Sequence, residues 1–223
     1  MGTRPTMHCQ AELESDLGYK GFLPDETLFR WFHDSYSSSK HLLTLYSIVK
    51  GLNAKNIVEI GFGRSSFVLA KAAHLNKGKF ITCDMRDFSY LLSDEEKKVT
   101  EFIHGKADSV WKRLESTGID FAFLDYFSSE TWESNFVQNE IKKCFSLLKE
   151  NGIICIHDTM VDKYALKKVF NALKTNRFGF HNDDLEVLSL PYNYGLGIIR
   201  RLKPSKYGKI EDQFKKKPEG AQI

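Results

Sequence analysis

The sequence predicts an α/β fold in which a doubly wound, mostly parallel sheet carries helices on both faces. Five short apolar runs alternate with helix-like segments, acidic residues stand at the ends of most of these runs, and two further runs are joined by a short turn. Alternation of strands and helices favours right-handed crossovers between parallel strands. Ligands of such sheets bind beyond the carboxyl ends of the strands, where these acids are expected to lie.

Each strand is predicted from a run rich in β-branched and aromatic residues that is bounded by glycine or polar residues. The five runs are Asn56–Ile60, Lys79–Asp84, Glu101–His104, Asp120–Asp125 and Gly152–Asp158. The helix-like segments that follow them along the chain are Ser66–Leu75, Ser109–Leu114, Val137–Leu148 and Lys163–Lys174.

The last two runs, Leu185–Leu190 and Leu196–Arg200, flank Pro191–Gly195. A connection this short can form a hairpin but cannot hold a crossover helix. The sequence therefore predicts an antiparallel C-terminal strand.

Three regions follow from the pattern of composition along the chain. Residues 1–54 form a helical cover, in which Phe29–Tyr36 is a candidate lid over the substrate, and residues 55–202 form the sheet domain. Residues 203–223 form a polar tail that contains the basic cluster Lys215–Lys217.

Composition limits the class of protein and its partners. With 223 residues and 42% hydrophobic content, the chain can bury one substantial core. The net charge of +3, from 32 basic and 29 acidic residues, is too small to argue for a nucleic-acid partner. The four cysteines lack metal-type spacing, and no apolar run suits a signal peptide or a membrane helix. We expect a cytoplasmic protein that binds a small molecule and neither nucleic acid nor membrane.

The turn after the first run points to a nucleoside cofactor. It delivers Glu59 and then Gly61 and Gly63 to the start of a helix, where backbone N–H groups can receive an anion. Ser66 occupies the third glycine position of the dinucleotide fingerprint. Glu59 would repel a pyrophosphate but could pair with a cationic ligand.

The motif Glu59-x-Gly61-x-Gly63 resembles the first motif of the class I S-adenosylmethionine-dependent methyltransferases, which have a Rossmann-like fold. The resemblance covers roughly Lys55 to Arg201. It implies that these three residues surround the methionine part of the cofactor, and that Ser65 and Ser66 hold its carboxylate with N–H and hydroxyl groups.

The resemblance extends to the next two strand ends. Asp84 matches the acid that binds the ribose hydroxyls, and Met85 is expected to lie against the adenine. Ala107 and Asp108 correspond to the position at the adenine edge.

Two acids are candidates for a metal site. Asp125 and Asp158 end the fourth and fifth runs, which are neighbours in this topology, so their carboxylates could share a magnesium ion. Catechol-type O-methyltransferases are similar here, although Thr159 stands where they have asparagine. Asp125 could also contact the methionine amine of the cofactor.

His157 supplies a competing mechanism, because an imidazole at a strand end can act as the general base for a hydroxyl. Along an extended strand, His157 and neighbouring Asp158 should point to opposite faces. Both can serve one substrate only if the strand has already ended.

The leading function is S-adenosylmethionine-dependent methyl transfer to a small hydroxylated molecule. Aromatic residues after the fourth strand and in the hairpin turn are candidates for an acceptor pocket: Tyr126, Phe127, Trp132, Tyr192 and Tyr194. Two alternatives remain open, an NAD(P)-dependent oxidoreductase and a noncatalytic cofactor-binding or scaffold protein. The sequence makes no prediction about the oligomeric state.

Overall fold

A computed structural model describes residues 38–127, 133–175 and 184–210. In these residues, seven strands form one sheet: β1 Asn56–Ile60, β2 Lys79–Asp84, β3 Thr100–His104, β4 Ile119–Leu124, β5 Leu148–His157, β6 Leu185–Leu190 and β7 Leu196–Arg201. The α-helices are α1 Leu42–Gly51, α2 Arg64–Asn76, α3 Asp94–Val99, α4 Ala107–Leu114, α5 Ser134–Leu147 and α6 Ala165–Lys174. Short 3₁₀ turns lie at Ser39–His41 and Ser89–Leu91.

The strand order is β3-β2-β1-β4-β5-β7-β6. Strands β1 to β5 pair in parallel, whereas β7 runs antiparallel to both β5 and β6. This confirms the predicted doubly wound, mostly parallel sheet with an antiparallel C-terminal strand. Because β1 and β4 are neighbours at the point where the order reverses, a crevice opens between their carboxyl ends.

Alternating side chains of the strands pack against two different layers of helices. Val58 and Ile60 belong to the core that α4, α5 and α6 cover, while Ile57 belongs to the core beneath α1 and α2. This alternation is the period of two expected for a strand buried on both faces. It turns Glu59 toward α2.

Strand β5 starts earlier and ends earlier than the sequence predicts. It begins at Leu148 and runs through Asn151, which adopts a left-handed backbone with φ of 67°. It ends at His157, and Asp158 leaves the strand with φ of 66°. The backbone therefore turns sharply directly after His157.

The segments on either side of the sheet domain also contribute to it. In α1, Leu42, Leu45 and Val49 are fully buried. Ser205 Oγ donates a hydrogen bond to the backbone oxygen of Leu148, so the start of the predicted polar tail packs on β5. The candidate lid Phe29–Tyr36 and residues 211–223 lie outside the described residues.

None of the helices in residues 38–127, 133–175 and 184–210 combines the length and the apolar composition that a bilayer-spanning segment requires.

Candidate functional site

The two glycines after β1 have different structural roles. Gly61 has φ of 100°, and a Cβ there would lie 2.7 Å from the backbone oxygen of Asp125. Glycine is therefore needed for this turn to pass directly against the loop after β4. Gly63 is extended, and a Cβ there would meet no atom within 4 Å. Open space thus lies in front of Gly63, at the first turn of α2.

Glu59 supports this turn from beneath. Its side chain is fully buried and accepts hydrogen bonds from the hydroxyls of Ser65, Ser66 and Thr82. Burial raises the pKa of Glu59 to about 8, although the three hydroxyl groups act in the opposite direction. The carboxyl group therefore lies beneath the first turn of α2, where it fixes the backbone that follows β1.

The serine hydroxyls consequently differ from the prediction. Those of Ser65 and Ser66 donate to Glu59, and Ser66 Oγ also accepts from the N–H of Gly63 at 3.0 Å. These side chains fix the turn instead of pointing to a cofactor carboxylate. The sequence correctly predicts that both serines lie at the helix start, but it cannot show which group accepts the hydrogen bonds of their hydroxyls.

Asp84 connects the ends of β1 and β2. Its two carboxylate oxygens accept from the backbone N–H groups of Phe62 at 3.0 Å and of Arg86 at 2.9 Å. Each oxygen retains a lone pair for a further donor, and the residue is half-buried at the open edge of the sheet. Met85 follows it with 62% of its surface exposed. Both therefore lie where the sequence predicts a ribose and an adenine.

Asp108 faces elsewhere. Ala107 is buried at the start of α4, but the Asp108 carboxylate lies on the surface, 2.9 Å from Lys143 Nζ of α5. This ion pair lowers the pKa of Asp108. The predicted adenine-edge acid instead bridges two helices, because as the second residue of α4 it turns toward α5.

Asp125, His157 and Asp158 form a compact cluster at the ends of β4 and β5. His157 Nδ1 lies 3.0 Å from an Asp125 carboxylate oxygen and 3.5 Å from one of Asp158. The left-handed backbone of Asp158 explains how neighbouring residues reach one site. The strand has already ended, which is the condition that the sequence analysis sets for both residues to serve one substrate.

The cluster holds a protonated imidazole. Burial by itself lowers the pKa of His157, but the carboxylates of Asp125 and Asp158 outweigh it and raise the pKa to about 9. The Nδ1–H group donates to Asp125, and the Nε2–H group donates to the backbone oxygen of Asn193 at 2.9 Å. Both nitrogens are therefore engaged as donors.

The three members differ in access to solvent. The side chains of His157 and Asp158 are 3% and 6% exposed, whereas that of Asp125 is 22% exposed. Asp125 also lies against Gly61. It is therefore the member that a ligand in the crevice can touch.

His41 is a site residue that the sequence analysis missed. Its ring centroid lies 5.7 Å from that of His157, and its Nε2 lies 2.8 Å from the backbone oxygen of Tyr192. Burial, and then the positive charge of His157, lower the pKa of His41 to about 4, so the ring is neutral. No pattern in the sequence marks it, because packing of the segment before α1 determines its position.

The aromatic residues predicted to form one acceptor pocket do not all face the same region. Tyr126 stacks on Phe127, and its hydroxyl donates to Glu140 of α5 at 2.8 Å, so Tyr126 turns away from the crevice. Burial and Glu140 raise the pKa of that hydroxyl. Tyr192 and Tyr194 lie at the same edge and are 64% and 41% exposed. Trp132 lies outside the described residues.

Comparison with known proteins identifies a methyltransferase domain in this chain. Residues 58–159 match a family described as a methyltransferase domain. No protein of curated function matches the sequence significantly.

Solved structures match over most of the chain. A methyltransferase from Podospora anserina, solved with S-adenosylhomocysteine (SAH) bound, shares 18% identity with a TM-score of 0.58 and covers 91% of this chain and 100% of its own. A Geobacter sulfurreducens methyltransferase shares 17% identity with a TM-score of 0.58 and the same coverage. An O-methyltransferase from Bacillus cereus in complex with SAH shares 16% identity with a TM-score of 0.56, covering 81% and 92% of the two chains. At these identities, the likeness is one of fold.

Proposed function

We propose that this protein, whose residues 58–159 match a methyltransferase domain, transfers the methyl group of S-adenosylmethionine to a hydroxyl oxygen of a small molecule. The observation that carries this proposal is the position of Asp125. This partly exposed carboxylate lies beside the glycine turn, where a hydroxyl group can donate a hydrogen bond to it. The methyltransferase domain sets aside the oxidoreductase alternative.

The residues at the carboxyl edge suit the cofactor. Open space in front of Gly63 accommodates the methionine part, and the remaining lone pairs of Asp84 suit two ribose hydroxyls. The cofactor carries a sulfonium and an ammonium charge, and the nearby carboxylate of Asp125 favours binding of both.

Methyl transfer requires alignment more than covalent help. The acceptor oxygen must lie in line with the methyl–sulfur bond, and a proton must leave the hydroxyl as the new carbon–oxygen bond forms. Asp125 accepts the hydrogen bond from the hydroxyl and takes up that proton. The sulfonium becomes a neutral thioether.

We assign His157 a positioning role instead of the predicted role as base. Its protonated ring donates both N–H groups and so has no lone pair for a hydroxyl proton. Its hydrogen bond fixes the orientation of Asp125, and its charge compensates for the adjacent carboxylate of Asp158.

A magnesium ion between Asp125 and Asp158 is the competing prediction for this cluster. Ligand atoms of these residues and His157 lie within 4.8 Å of one another. Magnesium prefers a shell of oxygen ligands, however, whereas the third donor here is an imidazole nitrogen. The donor set does not fit magnesium, and the proposed transfer does not use it.

A chelator experiment distinguishes the metal-independent mechanism from the magnesium mechanism. We expect turnover to persist in excess EDTA, because the positive charge in the cluster comes from His157. If turnover collapses in EDTA and returns with magnesium, and Asp158→Asn abolishes that response, the metal mechanism replaces this one.

The acceptor class is tested by incubating the protein with S-adenosylmethionine and panels of phenols, sugars and amines, with product detection by mass spectrometry. We expect methylation of hydroxyl compounds, and Asp125→Asn should lower kcat by about 10²-fold or more, as loss of a proton acceptor does. Asp162→Asn is the matched control, because the Asp162 side chain is 92% exposed beside Lys167.

SAH affinity measured in parallel separates lost chemistry from lost cofactor binding. Methylation of amines alone, or full activity of Asp125→Asn, contradicts the proposal.

A further inference from the structure

The loop between β6 and β7 is held by side chains from two distant parts of the chain. The backbone oxygen of Tyr192 contacts Nε2 of His41 at 2.8 Å, and that of Asn193 accepts from Nε2 of His157 at 2.9 Å. One ring comes from the turn before α1 and the other from the end of β5. Neighbouring carbonyl groups are therefore fixed by two adjacent histidines.

The next two carbonyl groups are fixed by the loop after β5. The oxygen of Tyr194 accepts from the N–H of Met160 at 2.8 Å, and that of Gly195 accepts from the N–H of Thr159 at 3.4 Å. Four consecutive carbonyl groups of one loop thus have partners. Such complete pairing is unusual for a surface loop, and it specifies a single conformation.

That conformation is strained, which explains why it needs these partners. Asn193 and Tyr194 adopt left-handed backbones with φ of 40° and 67°. Residues with side chains persist in this region only when the surrounding structure holds them there, and such positions concentrate at functional sites. The side chains of Tyr192 and Tyr194 project from this loop and remain largely exposed at the open edge.

We propose that His41 is a positioning residue for the acceptor side of the site, and this inference rests on the proposed function. Its ring holds the Tyr192–Gly195 loop and thereby the two tyrosines that the acceptor meets. His41 is only 1% exposed, so it does not touch the ligand itself. Because a carbonyl oxygen can only accept, the Nε2–H group of His41 donates to the backbone oxygen of Tyr192.

The same contacts connect His41 to the reacting groups. His41 fixes Tyr192, the next residue Asn193 fixes the ring of His157, and His157 in turn orients Asp125. Displacement of the loop would therefore release both the tyrosine rim and the orientation of Asp125. The glycine turn and Asp84 make none of these hydrogen bonds, so His41 can affect cofactor binding only weakly, through the orientation of Asp125.

The test compares His41→Phe, which keeps an aromatic ring of somewhat larger size but removes the donor, with His41→Gln, which keeps an N–H donor. His74→Gln, in the last turn of α2, is the matched control. Each protein is assayed for SAH affinity by calorimetry, for hydrogen exchange at the amides of Met160 and Gly195, and for methylation of catechol.

For His41→Phe we expect exchange at Met160 and Gly195 to accelerate at least tenfold while the amides of α6 keep their rates. SAH affinity should stay within threefold, and KM for catechol should rise more than kcat falls. His41→Gln should restore most of the exchange protection and of the KM. If His41 contributed only to the overall stability of the fold, His41→Phe would instead accelerate hydrogen exchange throughout the molecule.

Unchanged exchange in His41→Phe, or equal loss in both variants, overturns the proposal. The exchange measurement needs no turnover, so it decides the role of His41 even if no hydroxyl compound is methylated. In that case, the proposed function is wrong, and the exchange rates alone decide whether His41 positions the loop.

Discussion

Glu59 illustrates how a residue can belong to a binding motif and act from beneath it. Three hydroxyl donors surround its fully buried carboxyl group, and no part of the side chain reaches solvent. An isolated buried carboxylate would be costly, so the acid is held by hydrogen bonds and by a raised pKa. Its effect on the cofactor is therefore indirect, through the shape of the turn.

Substitutions of Glu59 test whether its buried carboxyl group is neutral or charged in the folded protein. Because burial raises the pKa to about 8, the acid is largely protonated at pH 7, and Glu59→Gln should cost less than about 1 kcal/mol of unfolding free energy. Glu59→Ala leaves three buried hydroxyls without their partner and should cost about 2–5 kcal/mol. Urea unfolding measures both. If the two variants are equally destabilised, Glu59 is ionised in the folded protein.

Asp84 should contact the ribose directly. Asp84→Asn removes the charge and one acceptor oxygen, and loss of charge-assisted hydrogen bonds of this kind weakens binding by about tenfold or more. Calorimetric titration with SAH gives the affinity. Asp87→Asn is the control, because Asp87 lies in an exposed turn and accepts hydrogen bonds from the N–H and hydroxyl groups of Ser89. Equal SAH affinity in both variants would remove Asp84 from the cofactor site.

The strands and the strand ends could be predicted from the sequence, because buried parallel strands have a strong and local apolar signal. The short helix α3 was missed, since its six residues, Asp94–Val99, are mostly charged and carry little apolar periodicity. The partner of Asp108 and the position of His41 could not be predicted either. Both depend on contacts between elements that are far apart in the chain, namely α4 with α5 and the turn before α1 with the β6–β7 loop.

The roles of the two glycines in the turn between β1 and α2 can be separated by replacing each of them with alanine. Gly61→Ala places a Cβ 2.7 Å from a backbone oxygen at φ of 100°, so it should lower the unfolding free energy by about 1–3 kcal/mol and abolish detectable SAH binding. Gly63→Ala meets no protein atom, so it should leave stability unchanged but weaken SAH binding. Unfolding curves and calorimetry separate these effects. Unchanged SAH affinity in Gly63→Ala would show that the cofactor does not lie in front of this residue.

Sheet topology brings the site together from the full length of the described chain. Adjacency of β1, β4, β5 and β7 places the glycine turn, Asp125, His157 and the hairpin loop at one edge. The net charge of +3 gives no hint of this, since the edge itself brings the carboxyl groups of Asp125 and Asp158 together around buried His157. Local charge arrangement, and not total charge, therefore determines which ligands the crevice attracts.

The two raised pKa values make stability depend on pH. His157, with a pKa raised to about 9, and Glu59, with a pKa raised to about 8, keep protons in the folded state that the unfolded chain releases near pH 6.5 and 4.5. Both contributions to stability therefore decrease as pH rises from 6.5 to 8.5. His41, with a pKa lowered to about 4, contributes a rise only below pH 6.5 and is constant above it.

We thus expect the unfolding free energy to fall by about 4 kcal/mol between pH 6.5 and 8.5, since two protons are linked over most of this range and each contributes at most about 1.4 kcal/mol per pH unit. Urea unfolding across this range measures it. His157→Gln should remove about half of the slope below pH 8 and most of the slope above it, whereas Glu59→Gln should remove the other half below pH 8 and leave the slope above pH 8 largely unchanged. A flat or rising stability would mean that His157 is neutral, and a neutral His157 restores both the base and the metal ligand that its protonation otherwise removes.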